Sequence, residues 1–353
     1  MLDSLISEGH PLARDLAIEL ASPPGARKMP LDNIPIRQVG RTGGHFWEQV
    51  QLPSSLDSGG LLSLCNTGPL LCSRHIVCIH DANVWNAPTS YSLAFRILYR
   101  TILPLLAKTA RRVSTVSDYS MSELVRHGVN PAAHFLVAPN GHEHALRWKP
   151  RHSEATRRAA SGNTVVMVGS PAPHKNIGLI LGMADRLADA GIDIAIVGAA
   201  DPRVFQGQLR TEAPNIHWVG RVSDGEMAAL LKDSLCLAFP SLTEGFGLPA
   251  LEAMTLGCAV VATDRASVPE VCGSAALYAS PDDPEAWFTS FVRLRNSPEL
   301  RRDMIARGQE RASVYSWRLT ALRYLNAMAE ADGLQGFADA DPVGSPIQFD
   351  RTG

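Results

Sequence analysis

The sequence predicts an α/β protein built from two doubly wound, Rossmann-like domains facing each other across a cleft. Three observations carry this. Short β-branched runs alternate with helical stretches along most of the chain, the mark of parallel sheets. The alternation lapses once, in the polar, charge-rich segment WKPRHSEATRRAASGN around residues 147–162, and then restarts. At 353 residues the chain is long enough for two domains that each bury a core. In the first series the strands fall at residues 16–22, 34–40, 61–66, 75–81, 113–118 and 135–140. In the second they fall at 164–169, 192–198, 216–220, 235–240, 258–263 and 275–279, with helices over 176–190, 224–232 and 249–256 between them. This gives a first domain over 1–150, a second over 151–325, and a C-terminal helix end and loose Gly/Pro/Asp-rich tail over 326–353.

Composition narrows the class of function. The net charge of −2 argues against a nucleic-acid partner, but it averages two unlike halves. Residues 1–160 hold 17 Lys and Arg against 12 Asp and Glu, a balance of +5; the remainder holds 16 against 23, a balance of −7. Only the first half is therefore expected to meet something anionic. The six cysteines form no CxxC pair and mostly sit in apolar runs, which reads as reduced core residues of a cytoplasmic protein. No apolar stretch has the length of a membrane span and the N-terminus shows no signal-peptide pattern, so a soluble or peripheral protein is expected.

The densest motif is FPSLTEGFGLPALEAM, residues 239–254. A buried strand ends at Pro240, a loop carries Glu244, Gly245 and Gly247, and Pro249 sits where a helix begins. Glu244 is placed at the carboxyl edge of the sheet and Glu252 on the first turn of the helix. Two carboxylates at one strand–helix junction suit two vicinal diols, one of a sugar and one of a ribose. Lys175 follows the strand 164–169 at the mouth of the helix 176–190, where a lone loop lysine is by itself more often a solvent-facing side chain. No G-x-G-x-x-G follows a strand, which argues against a nicotinamide-dependent oxidoreductase.

These residues also resemble a known family. The stretch 239–254 resembles the Glu-x7-Glu motif of glycosyltransferase family 4. TVVMVGSPAPHKN (164–176) resembles that family's first donor-domain strand and phosphate lysine, and VGRVSDGEMAALLKDS (219–234) the segment beside the nucleotide base. NTGPLL, VCIHDANVW, VSTVSDYSMSEL and VAPNG are similar to the first domain of mannosyltransferase-like members, so the likeness spans roughly residues 40–325. It implies the GT-B architecture and retention of anomeric configuration. A hexose would be moved, mannose from GDP-mannose as the favoured case, onto a glycolipid or polysaccharide-repeat acceptor. It implies His80 and Glu244 as catalytic residues, and donor contacts from Gly169, Ser170, Lys175, Phe246, Gly247, Leu248 and Glu252. The pair Asn140-Gly141 would shape the crossing between domains, and His174 stands where members carry an arginine.

No metal or other cofactor is expected. The only Asp-x-Asp is Asp339-Ala340-Asp341 in the tail, and His142-x-His144 has no third ligand near in sequence. Residues 94–112 place Arg96, Arg100, Lys108 and Arg112 among Leu, Ile and Phe, a basic amphipathic helix suited to an anionic membrane surface or to a solvated face. Against the family pattern, the opening MLDSLISEGHPLARDLAIEL reads as the tail of the first helix followed by the second strand. The first domain is thus expected to be N-terminally truncated, with a non-catalytic member that binds nucleotide or acts as a partner subunit as the alternative function.

Overall fold

The computed structural model describes residues 2–14, 16–27, 29–56, 59–169, 172–198 and 213–334. Ser170 and the tail with Asp339 and Asp341 lie outside the described residues. In the first half, β1 (Leu20–Ser22) and β2 (Ile36–Gln38) form a separate parallel pair. A four-stranded parallel sheet then runs in the order β3 (Leu61–Ser63), β4 (His75–Cys78), β5 (Arg112–Thr115), β6 (Phe135–Val137). One sheet starting at residue 16 is the expectation; two sheets are the finding. The interior of a parallel sheet needs strands buried on both faces. β4 is buried at all four positions, whereas β2 is exposed at all three and β1 only half-buried.

The second half holds β7 (Thr164–Val168), β8 (Asp193–Val197), β9 (Ile216–Gly220), β10 (Cys236–Phe239), β11 (Val260–Thr263) and β12 (Ala276–Ala279). They form one parallel sheet in the order β12-β11-β10-β7-β8-β9. This is the doubly wound order, with its reversal between β7 and β10, and a crevice opens at such a reversal beyond the carboxyl ends of the strands.

Two helix expectations change. The segment between the halves contains the helix Glu154–Ala159, closed by reciprocal capping between Ser153 and Thr156 and anchored by buried Thr156 and Ala159. The helix expected over 176–190 is broken into Ile177–Leu181 and Ala184–Asp189, interrupted at Gly182, a residue poorly suited to helix interiors.

The last helix, Trp317–Ala331, returns to the first half. Its Leu325 packs with Leu5 and Ala13, and its Tyr324 with Ile76 and Ala138. Tyr324 Oη lies 3.0 Å from Ser114 Oγ, and Arg323 and Thr320 donate to the carbonyls of Val137 and Pro139. The boundary expected at 325 therefore falls inside a helix that covers the first sheet.

Candidate active site

The sheet reversal explains why two residues 69 positions apart meet. The loop after β7 ends in a tight turn, Pro173–Lys175, and the loop after β10 carries Glu244. β7 and β10 are adjacent, so both loops leave the same edge. Lys175 Nζ donates to Glu244 Oε1 at 2.6 Å, with both side chains largely buried. Because the helix after Lys175 has only five residues, the charge of the lysine, rather than a long helix dipole, dominates this corner.

The Glu244–Gly245 loop is seated against the first half. A Cβ on Gly245 would lie 2.6 Å from the His80 carbonyl oxygen and 2.8 Å from Asp81 Cβ, so only glycine admits this approach. The Gly245 carbonyl accepts from Ser117 Oγ at 2.6 Å and Ser120 Oγ at 2.9 Å, and Thr243 Oγ1 donates to Asn83 Oδ1 at 3.1 Å. Glu270 accepts the amides of Asp118 and Tyr119, both at 2.9 Å, at the N-terminus of the helix Asp118–Arg126.

First-half groups gather on the other side. His80 Nε2 lies 2.6 Å from the Leu64 carbonyl, and its amide donates to Asn66 Oδ1 at 2.7 Å. Hydrogen bonding to the Cys78 thiol, the Leu64 carbonyl and the charge of Asp81 push His80 up to about 9 against the opposing effect of burial. Burial pushes the Asp81 carboxyl up, with Glu244 adding to it, and burial, Asp81 and Glu244 push Tyr91 up to about 12. His174, within 2.8 Å of Ser90 Oγ, is held low by burial and by Lys175. His80, Asp81 and Tyr91 thus share an electrostatic neighbourhood with Lys175 and Glu244 across the crevice.

Residues 149–311, which contain the whole six-stranded sheet, match the family described as glycosyl transferases group 1. O-antigen chain mannosyltransferase B of Escherichia coli is 29% identical over 276 residues, covering 73% of this chain and 71% of that protein. Over its second half, this chain is thus similar to the group 1 glycosyl transferases. O-antigen chain mannosyltransferase RfbU of Salmonella typhimurium is 25% identical over 237 residues, 66% of this chain and 64% of its own length. The match thus spans about two thirds of the length of these relatives. Anabaena HepE, solved with UDP and glucose, superposes with a TM-score of 0.65 at 18% identity over 85% of this chain and 86% of that one. At that identity the likeness establishes the GT-B fold.

Gly169 closes β7, its amide donating to the Val197 carbonyl at 3.0 Å. The Phe246 side chain is 4% exposed and packs edge-on against Tyr315. Gly247 takes φ 104 at the start of the helix Leu248–Thr255, and Leu248 packs on the core. Glu252 is the fifth residue of that helix, one position further in than expected, and His144 Nε2 meets its Oε1 at 2.9 Å. The basic helix spans Leu93–Thr109, and Arg100 Nε donates to the Val84 carbonyl at 3.0 Å while the Arg96 Nε is buried without a partner. Lys108 is exposed. Among the cysteines, Cys65 is exposed and Cys72 half-buried, so these two are not core residues; the other four are buried. Tyr91, Glu270 and Trp317 were not singled out by sequence. His144 was weighed only as half of a His-x-His pair, and no local spacing pointed to a carboxylate 108 residues away.

Proposed function

We propose that this chain is a retaining hexosyltransferase that binds a nucleoside diphosphate sugar in the crevice and transfers the sugar to a glycolipid or polysaccharide-repeat acceptor. The observation that carries the reading is the convergence of Lys175 and Glu244 at the sheet reversal, opposite His80. Lys175 would neutralise the diphosphate as the bond from the anomeric carbon to phosphate breaks, and Glu252 would accept from the ribose diol. Protonated His80 would donate to a sugar hydroxyl. Two relatives named as O-antigen chain mannosyltransferases favour mannose, hence GDP-mannose, as donor. No metal is needed where lysine meets the leaving group. The helix Leu93–Thr109 would rest on an anionic membrane surface, placing a cytoplasmic, peripheral enzyme beside a lipid-linked acceptor; among the described residues no helix is long and apolar enough to cross a membrane.

A thermal-shift screen of GDP-, UDP- and ADP-sugars tests the donor, since a ligand at a hundred times its Kd stabilises the fold by about 2.7 kcal/mol. GDP-mannose is expected to raise Tm most. Lys175→Ala is expected to weaken binding of the diphosphate more than that of the nucleoside, and equal losses would place the lysine elsewhere. Binding without release of nucleotide in the presence of lipid-linked acceptor would favour a nucleotide-binding partner subunit instead.

A further inference from the structure

Glu252 is gripped from outside its own sheet. Its Oε1 accepts from His144 Nε2 at 2.9 Å, and the Trp317 indole N–H donates to His144 Nδ1 at 3.0 Å. An indole nitrogen can only donate, so Nδ1 must accept and the ring proton sits on Nε2, facing the carboxylate. The imidazole is packed edge-on between Trp148 and Trp317, with centroids 5.6 and 6.0 Å away. Trp317 is itself clamped: its amide donates to Glu143 at 2.8 Å, and Ser316 Oγ donates to the same carboxylate at 2.6 Å. Gly141 makes this possible, because a Cβ there would stand 1.9 Å from the Trp317 amide nitrogen. The grip therefore joins the segment after β6, the helix after β10 and the start of the returning helix.

We propose that His144 is a positioning residue for the nucleotide ribose: fixed by Trp317, it engages Oε1 of Glu252 and so aims the other oxygen at a ribose hydroxyl. The inference rests on the reading of Glu252 as the ribose acceptor. It makes ribose recognition depend on the clasp at which the two halves cross.

The test is calorimetry on the full chain with GDP and UDP and, for whichever binds, its 2′-deoxy and 3′-deoxy analogues. The wild type is expected to prefer the ribonucleotide over at least one deoxy analogue by about tenfold or more. His144→Phe keeps a packed ring but removes the donor. It is expected to weaken the ribonucleotide about tenfold while leaving the deoxy ligand within about twofold, so that discrimination collapses. His144→Gln, which puts an amide N–H near the Nε2 position, is expected to restore most of it. Full discrimination in His144→Phe, or equal losses on ribo and deoxy ligands, overturns the positioning role. Glu252→Ala separates the two ideas: if it discriminates like the wild type, the ribose reading of Glu252 has failed. If Glu252→Ala loses discrimination and His144→Phe does not, only the role of His144 has failed. A wild type that binds neither nucleotide overturns both.

Discussion

At the scale of single residues, burial decides which groups titrate far from their usual range. His75 in β4 is fully buried and neither ring nitrogen has a hydrogen-bond partner. The ring fits because Gly68 opposite has no Cβ; one placed there would lie 2.4 Å from His75 Cε1. Burial holds the imidazole down to about 4, below the 6.5 of a free histidine. The folded state therefore favours the neutral ring. Its contribution is present above pH 6.5 and is lost as pH falls through that value towards 4, to a total of about 3 kcal/mol. His75→Leu should flatten this acid limb: thermal melts at pH 7 and 4.5 should lie closer together in the variant than in the wild type. An unchanged difference would mean that other groups carry the acid sensitivity. Gly245 is the second telling residue. Gly245→Ala should push the Glu244 loop off His80 and Asp81, and a displacement near 1 Å can cost about a hundredfold in turnover. Measured turnover within a few-fold of wild type would show that the loop need not seat there.

At the scale of elements, the helix Leu93–Thr109 presents several of its apolar side chains outward, chiefly in its first turns. Leu93 is 65% exposed, Ile97 60% and Leu98 44%, while Arg96 and Arg100 are half-buried. Charge neutralisation at the arginines is the test a basic face would suggest, but Arg100 spends its donor on Val84 inside the protein. Membrane binding through this helix should follow apolar contact more than charge. Ile97→Ser with Leu98→Ser is expected to abolish flotation with anionic vesicles, whereas raising salt should weaken it only partly. Flotation that ignores the double variant would assign membrane contact to another surface. The periodicity of residues 94–112 revealed an amphipathic helix; which of its two faces pointed outward was set by the packing of Leu103, Leu106 and Ala107 on the first core.

At the scale of the whole molecule, the C-terminal helix ties the chain's end to its beginning. Leu325 is fully buried beside Leu5, Ala13 and Ala321, and salt bridges join Arg318 to Glu8 and Arg74 to Asp332. Leu325→Ala removes a buried side chain from this seam and is expected to cost about 2–5 kcal/mol. Denaturant titration should show the loss in the first half, with unfolding of the six-stranded sheet little changed; a loss shared equally by both halves would indicate that they unfold as one unit. An apolar cluster already bridges them, since Cys78 and Val116 share it with Phe246 and Tyr315.

The sequence by itself determined the strands of the second half, their alternation with helices, and the candidate status of Lys175, Glu244 and Glu252. Those signals are local: β-branched runs, glycines just before Pro249, and motif spacing within one loop. The tertiary structure alone decided that β1 and β2 leave the main sheet and that Phe246 turns inward. It also decided that His144 and Trp317 reach Glu252, and that the last helix belongs beside the first strands. Each of these depends on burial and hydrogen bonds between segments far apart in the chain, or on the balance of exposed against buried edges, and no periodicity within a segment encodes its distant partner.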